Sequence, residues 1–229
     1  MATRALLADL SAAAAEARLP RLEIESVGGV EAARRVASGE RFDLVFLASR
    51  ALEDLAERGH VLSSSVTPLV LSRTAVAVRS EGACETPPPA HAAFDDADGV
   101  RAALRDARRI GYSTGPSGTA LLQQIERWAM TDELGDRLVQ ARPGVPVAQL
   151  LADGEVDIGF QQFSELAGQN SVRILGHLPS DCAIDTIFSG GVAATAADPA
   201  ASLAVLSFFA SPGVAPIKKA RYFEDGRVP

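Results

Sequence analysis

The segment Asp43-Leu44-Val45-Phe46-Leu47 constrains the fold most, because it is a continuous apolar run set between two helical patterns. A strand that covers only one face of a core alternates polar and apolar residues. An unbroken run suits a strand buried on both faces, as in parallel sheets. Ahead of it, Val30 to Ala37 reads as a helix that stops at Gly39. Behind it, Ser49 reads as the cap of a helix through Glu57, closed by Gly59. Strands and helices alternating in this way imply βαβ units and an open, mainly parallel sheet flanked by helices.

The same rhythm continues on both sides. Leu6, Leu7, Leu10, Ala13 and Ala14 recur at helical spacing within Thr3 to Glu16, and Leu22 to Ile24 reads as a short strand. Thr74 to Val78 is a further strand, and Glu81 to Ala90, with Pro87-Pro88-Pro89, is a loop that marks a change of region. A second α/β unit then builds up from a helix near Gly99 to Ala107, a strand at Arg109 to Tyr112, a turn over Ser113 to Gly118 and a helix from Thr119 to Met130. It is completed by a helix from Pro146 to Ala152, strands at Val156 to Phe160 and Val172 to Leu175, and a small helix from Ser164 between them. Thr186 to Ala194 reads as a strand interrupted by Gly190-Gly191, and Asp198-Pro199 caps an apolar helix through Phe209. So apolar a helix needs an existing core, so the C-terminal segment is expected to return to the first lobe. The expected organisation is two lobes, residues 1–78 with 185–229, and 79–184.

Charge and motifs remove several function classes. A formal net charge of -7 leaves no basic stripe for nucleic acid. No apolar run approaches the roughly 20 residues that cross a bilayer, so no membrane insertion is expected. His60, His91 and His177 lack metal-ligand spacing, and no Walker loop, dinucleotide fingerprint or Ser-His-Asp order is present, so neither metal nor cofactor is expected. The two cysteines, Cys84 and Cys182, are too few for a disulfide scaffold.

What remains is anion binding at helix beginnings, which present free N–H groups and a positive dipole end. Candidate ligand groups are Ser26, Gly28 and Gly29 before one helix, Ser49 at the next, and Ser113, Ser117 and Gly118 where a strand gives way to a helix. That last stretch lies at a carboxyl strand end, where α/β sheets bind ligands. Gln161 and Gln162 follow the strand ending at Phe160, and their amides both donate and accept, which suits a carboxylate or hydroxy-acid. Arg73 and Arg142 are weaker candidates for a carboxylate clamp.

The order and spacing of several segments resemble the type II periplasmic solute-binding proteins, in particular the molybdate-binding branch. They are Ser26 to Gly29, Ser38-Gly39-Glu40-Arg41-Phe42-Asp43-Leu44-Val45, the helix at Ser49, the Ser-x-Gly-x-x-x-Leu pattern beginning at Ser117-Gly118, and Gly154-Glu155-Val156-Asp157-Ile158-Gly159. Gly159-Phe160-Gln161-Gln162-Phe163-Ser164-Glu165-Leu166 is similar to the matching segment of the bacterial aconitate isomerases, which share that fold. The resemblance implies two lobes closing on a small anion, either an organic acid or a molybdate-like oxyanion. It also implies a monomer that works with the membrane subunits of an ABC transporter in the periplasm, although the given chain shows no secretory signal and the cytoplasm stays open. The alternative is an isomerase of an unsaturated tricarboxylate, with Glu165 as the general base. Family members carry a strand and a serine loop ahead of the first helix; this chain starts at Met1, at the edge of that loop, so the first strand is expected to be missing from it. On the double-crossing topology Cys84 and Cys182 would flank the two crossings.

Overall fold

The computed structural model describes residues 2–80 and 89–227. In chain order the elements are α1 (Arg4–Glu16), α2 (Gly29–Ala37), β1 (Leu44–Ala48), α3 (Ser49–Glu57), β2 (Thr67–Arg79), α4 (Ala97–Asp106), β3 (Ile110–Tyr112), α5 (Pro116–Arg127) and α6 (Thr131–Leu134). They continue with β4 (Leu138–Gln140), α7 (Val147–Ala152), β5 (Ile158–Gln162), α8 (Phe163–Leu166), β6 (Val172–His177), β7 (Asp185–Val192), α9 (Pro199–Phe209), α10 (Ala215–Ala220) and β8 (Glu224–Asp225). The chain divides into two compact units: unit 1 is Met1–Ser72 with Ile187–Pro229, and unit 2 is Arg73–Thr186. It passes from one unit to the other within β2 and back within β7.

In unit 1 the helix beginning at Arg4 has its apolar stripe, Leu6, Leu7, Leu10 and Ala14, buried against Val205, Leu206 and Phe209 of α9, which is the home that the apolar C-terminal helix required. The Asp198 carboxylate accepts from the Ala201 amide at 2.9 Å and caps α9, with Pro199 in its first turn. A second cluster joins Val36 of α2, Val45 and Leu47 of β1, and Leu52 and Leu55 of α3.

Three local expectations change in unit 1. Residues 22–24 form no strand: among the described residues nothing pairs with them, and Glu23, Ile24 and Glu25 lie exposed, so their backbone groups are left to water. The apolar run of β1 pairs antiparallel with β7, Leu44 opposite Val192 through Ala48 opposite Phe188, and it alternates half-buried with buried residues. The glycine pair does not interrupt β7. Phe46 lies opposite Gly190, where an added Cβ would meet Leu206 Cδ1 at 2.5 Å and the Phe46 ring at 2.9 Å, so glycine admits the aromatic ring and the helix.

In unit 2, β5 lies between β2 and β3, β4 flanks β3, and β6 pairs β2 on its other side. β3 runs parallel to both β4 and β5, whereas β2 runs antiparallel to β5, with Val78 opposite Ile158 and Thr74 opposite Gln162. Helices cover both faces. One face packs Val76, Ile110, Ile158 and Phe160 against Leu121 and Ile125 of α5. The other packs Ala75 and Ala77 against Val147, Ala148 and Leu151 of α7. Cys182 is buried on the first face, where burial and the neighbouring Asp181 push its thiol up to about 11; Cys84 lies outside the described residues.

Candidate functional site

The carboxyl ends of β3 and β5 are where the apolar stripes of unit 2 turn polar. Along β5, Ile158 and Phe160 share a face with Gln162, two residues further on. Along β2, Val78 and Val76 share that face with Thr74, which lies directly opposite Gln162. On α5, Leu121 and Ile125 lie one and two turns from Ser117 on the same side of the helix. Three elements thus place a polar residue at the end of an apolar stripe, and all three are buried: Thr74 and Gln162 are each 1% exposed and Ser117 is 1% exposed. Buried polar side chains of this kind cost free energy unless something bonds to them.

The turn between β3 and α5 is held tightly. Ser113 Oγ lies 3.1 Å from Ser117 Oγ and accepts from the Gly115 amide at 3.2 Å. The helix begins at Pro116, three residues earlier than the sequence suggested, because proline fits the first turn and supplies no N–H there. Ser117 and Gly118 are therefore helical and not part of the turn. Gly118 is required: a Cβ on it would fall on the Ser113 carbonyl oxygen. That close approach lets the first turn of α5 sit directly on the end of β3.

Gln161 and Gln162 are the last two residues of β5, not a loop following it, and their side chains lie on opposite faces. Gln161 Oε1 accepts from the Val147 amide at the start of α7 at 2.7 Å, so its NH₂ is turned elsewhere. It serves Glu165 on α8, whose carboxyl is pushed above the usual carboxylate range by burial and drawn back in part by that amide. Gln162 Nε2 donates to Thr186 Oγ1 at 2.8 Å. Gln162 Oε1 and Thr74 Oγ1 are buried with no hydrogen-bond partner among the described residues.

Unit 2 therefore collects Ser113, Ser117, Gly118, Gln161, Gln162 and Glu165. The remaining serine and glycine candidates fall in unit 1. Gly28 caps α2 and Gly29 opens it; a Cβ at Gly28 would meet open space, so crowding does not explain the glycines, and Glu31 already sits in the first turn. Ser26, half-buried, precedes them. Ser49 is not a cap: the cap is Ala48, and the Ser49 hydroxyl instead reaches β7, donating to Ile187 O at 3.1 Å and lying 2.6 Å from Ser189 Oγ. Arg73 lies on β2 in unit 2, and Arg142 precedes α7. Among the described residues no group of three His, Cys, Asp or Glu is placed to hold a metal ion.

Sequence reasoning missed Thr74 and Thr186. A signal for Thr74 was present: Ser72, Arg73 and Thr74 are the polar positions in the otherwise apolar pattern Leu69-Val70-Leu71-Ser72-Arg73-Thr74-Ala75-Val76, and only Arg73 of the three is exposed. Thr186 carried no signal of its own.

Comparison with known proteins gives one family and one fold. The family model described as bacterial extracellular solute-binding protein matches residues 1–224. An aconitate isomerase of a Pseudomonas species is 31% identical over 177 residues, covering 77% of this chain and 65% of the relative's own length. The periplasmic molybdate-binding protein of Azotobacter vinelandii superposes with a TM-score of 0.75 at 19% identity over 99% of this chain and 96% of its own. The substrate-binding protein of an ABC transporter from Agrobacterium tumefaciens does so with a TM-score of 0.73 at 17% identity, over 98% of this chain and 78% of its own. At such identities the structural likeness establishes the α/β fold of periplasmic binding proteins.

Proposed function

Because the chain belongs to the bacterial extracellular solute-binding protein family, we propose that its solute is a small anion, an organic-acid carboxylate or a molybdate-like oxyanion. We place the unit 2 part of the binding site at the polar end of the β2, β5 and α5 stripes. The observation that carries the reading is that buried Thr74, Gln162 and Ser117 each end an apolar stripe of one shared core, Thr74 opposite Gln162 and Ser117 in the first turn of a twelve-residue helix. Hydroxyls, an amide and a helix N-terminus supply donors and a positive dipole end without a full positive charge, which suits an anion in a protein of net charge -7. A molybdate-binding protein of the same fold and the similar aconitate isomerase support the same chemistry. On this reading the protein acts outside the cytoplasm, as a monomer, delivering its solute to the membrane subunits of an ABC transporter. Thermal melts with molybdate, tungstate, cis-aconitate, trans-aconitate, citrate and malate test it. At least one anion should raise the melting temperature, and Ser117→Ala should weaken that anion about tenfold, the loss of one hydrogen bond to a charged group. No shift with any of them contradicts the reading.

A second reading is favoured by one observation: Glu165, held above its usual titration range, next to Gln161 in the segment similar to aconitate isomerases. There the same site binds an unsaturated tricarboxylate while Glu165 removes a proton beside a carboxylate. Interconversion of cis- and trans-aconitate by the purified protein, abolished in Glu165→Gln, supports it; binding without turnover supports the first reading.

A further inference from the structure

We propose that Thr74, Gln162 and Thr186 form a subsite for a neutral hydroxyl, which makes the solute a hydroxy-carboxylate and not a bare oxyanion. The inference rests on the anion reading above and narrows it. Gln162 is anchored at one end only: Nε2 donates to Thr186 Oγ1 at 2.8 Å, while Oε1 is buried without a donor among the described residues. Directly opposite on β2, Thr74 Oγ1 is equally buried and equally without a partner. An amide oxygen only accepts, whereas a threonine hydroxyl donates and accepts. A group that reaches both must therefore donate to Gln162 Oε1, and it can accept from Thr74 Oγ1 or donate to it. A hydroxyl does this with one atom. An ionised carboxylate or a tetrahedral oxyanion has no proton to give, and its charge would be set against the Gln162 carbonyl dipole.

Position within the fold supports the same assignment. Gln162 and Thr74 end the apolar stripes on the face that α5 covers, the face on which Ser117 opens that helix. A solute with its carboxylate at the start of α5 and a hydroxyl a few bonds away presents the two kinds of group in the order in which the protein presents their partners. A site that rejects ligands lacking a hydroxyl discriminates strongly, because its buried polar groups are then left unpaired.

The test uses pairs of acids that differ by one hydroxyl: malate against succinate, and citrate against tricarballylate. Affinities are measured by calorimetric titration of the full chain. The hydroxy member of at least one pair should bind about tenfold or more tightly, the scale of one buried hydrogen bond made or lost. Gln162→Met, which keeps the volume and removes the acceptor, should bring the pair within about twofold of each other. Thr74→Val, of nearly the same shape, is the second variant should Gln162→Met fail to fold, and it should narrow the gap in the same direction. Equal affinity within both pairs overturns this inference while leaving the anion reading intact, and indicates that an internal water fills the subsite. Tight binding of molybdate with none of any carboxylate also overturns it. If no anion binds at all, the anion reading fails and this inference fails with it.

Discussion

Unit 1 buries polar side chains that already have partners, whereas unit 2 buries several that do not. In unit 1 the Ser65 hydroxyl donates to Leu62 O and accepts from the Val192 amide, Ser189 meets Ser49, Ser202 donates to Asp198 O, and the buried Lys218 ammonium donates to Leu69 O at 2.8 Å. Burial lowers the Lys218 pKa and Asp225 opposes that, so the lysine is a structural strut whose charge is partly answered. The exception is Ser72, the last residue before the chain enters unit 2. In unit 2, Thr74 Oγ1, Gln162 Oε1 and Ser164 Oγ are buried without partners among the described residues, and all three lie at or just beyond the carboxyl end of β5 or opposite it. A buried polar atom left unpaired costs roughly 1–3 kcal/mol. Such a cost concentrated at one sheet end, beside the opening of a helix, points to a group that arrives from outside the chain.

The comparison can be broken by substitution. The largest effect is expected at Gly118→Ala, where the new Cβ collides with the Ser113 carbonyl, a backbone atom that cannot swing aside; a loss of about 3 kcal/mol or more by chemical denaturation is expected. Next, Lys218→Ala in unit 1 removes a buried stem and its bond to Leu69 O, and should cost about 2 kcal/mol in the same assay. Ser65→Ala strips the acceptor from the Val192 amide and should cost about 1–2 kcal/mol. Thr74→Val is its counterpart in unit 2: it removes an unpaired hydroxyl, so the ligand-free protein should stay within about 0.5 kcal/mol of wild type or gain stability. If Thr74→Val costs as much as Ser65→Ala, the contrast between the units is wrong.

The smallest expected effect is a pH dependence. The folded pKa of Glu165 is raised, so the folded chain keeps this proton to higher pH than the unfolded chain does. Stability should therefore fall as pH rises from the unfolded value of about 4.3 through the folded one, and Glu165→Gln should lack that fall. Melting curves of both proteins from about pH 4 to about pH 8 read the difference. Parallel curves contradict the burial of this carboxyl.

Much of the fold was legible because it is written locally. The spacing of Leu6, Leu7 and Leu10, the stops at Gly39 and Gly59, and the Asp198-Pro199 start of α9 each encode one helix without reference to the rest of the chain. Strands are less so, since a strand exists only with a neighbour. Leu22 to Ile24 has strand composition and no described partner, and the β1 run looks parallel until the glycines of β7 let it pair antiparallel. For the site, residue types at Ser113, Ser117, Gln161 and Gln162 were visible, but their satisfaction was not. Gln161 proves tied to α7, and Ser49, which looks like a cap, is tied to β7. Thr74 stands out locally as a polar residue in an apolar run, but its place opposite Gln162 is a register that no single segment carries.

Hydrogen exchange read by mass spectrometry locates an anion held at the polar end of unit 2. The protein is measured alone and with millimolar citrate, trans-aconitate or molybdate. At least one anion should slow exchange in peptides covering residues 113–119 and 160–163. Unchanged exchange in both segments with every one of these anions, at concentrations that raise the melting temperature, would place the anion elsewhere and contradict a site at the polar end of unit 2.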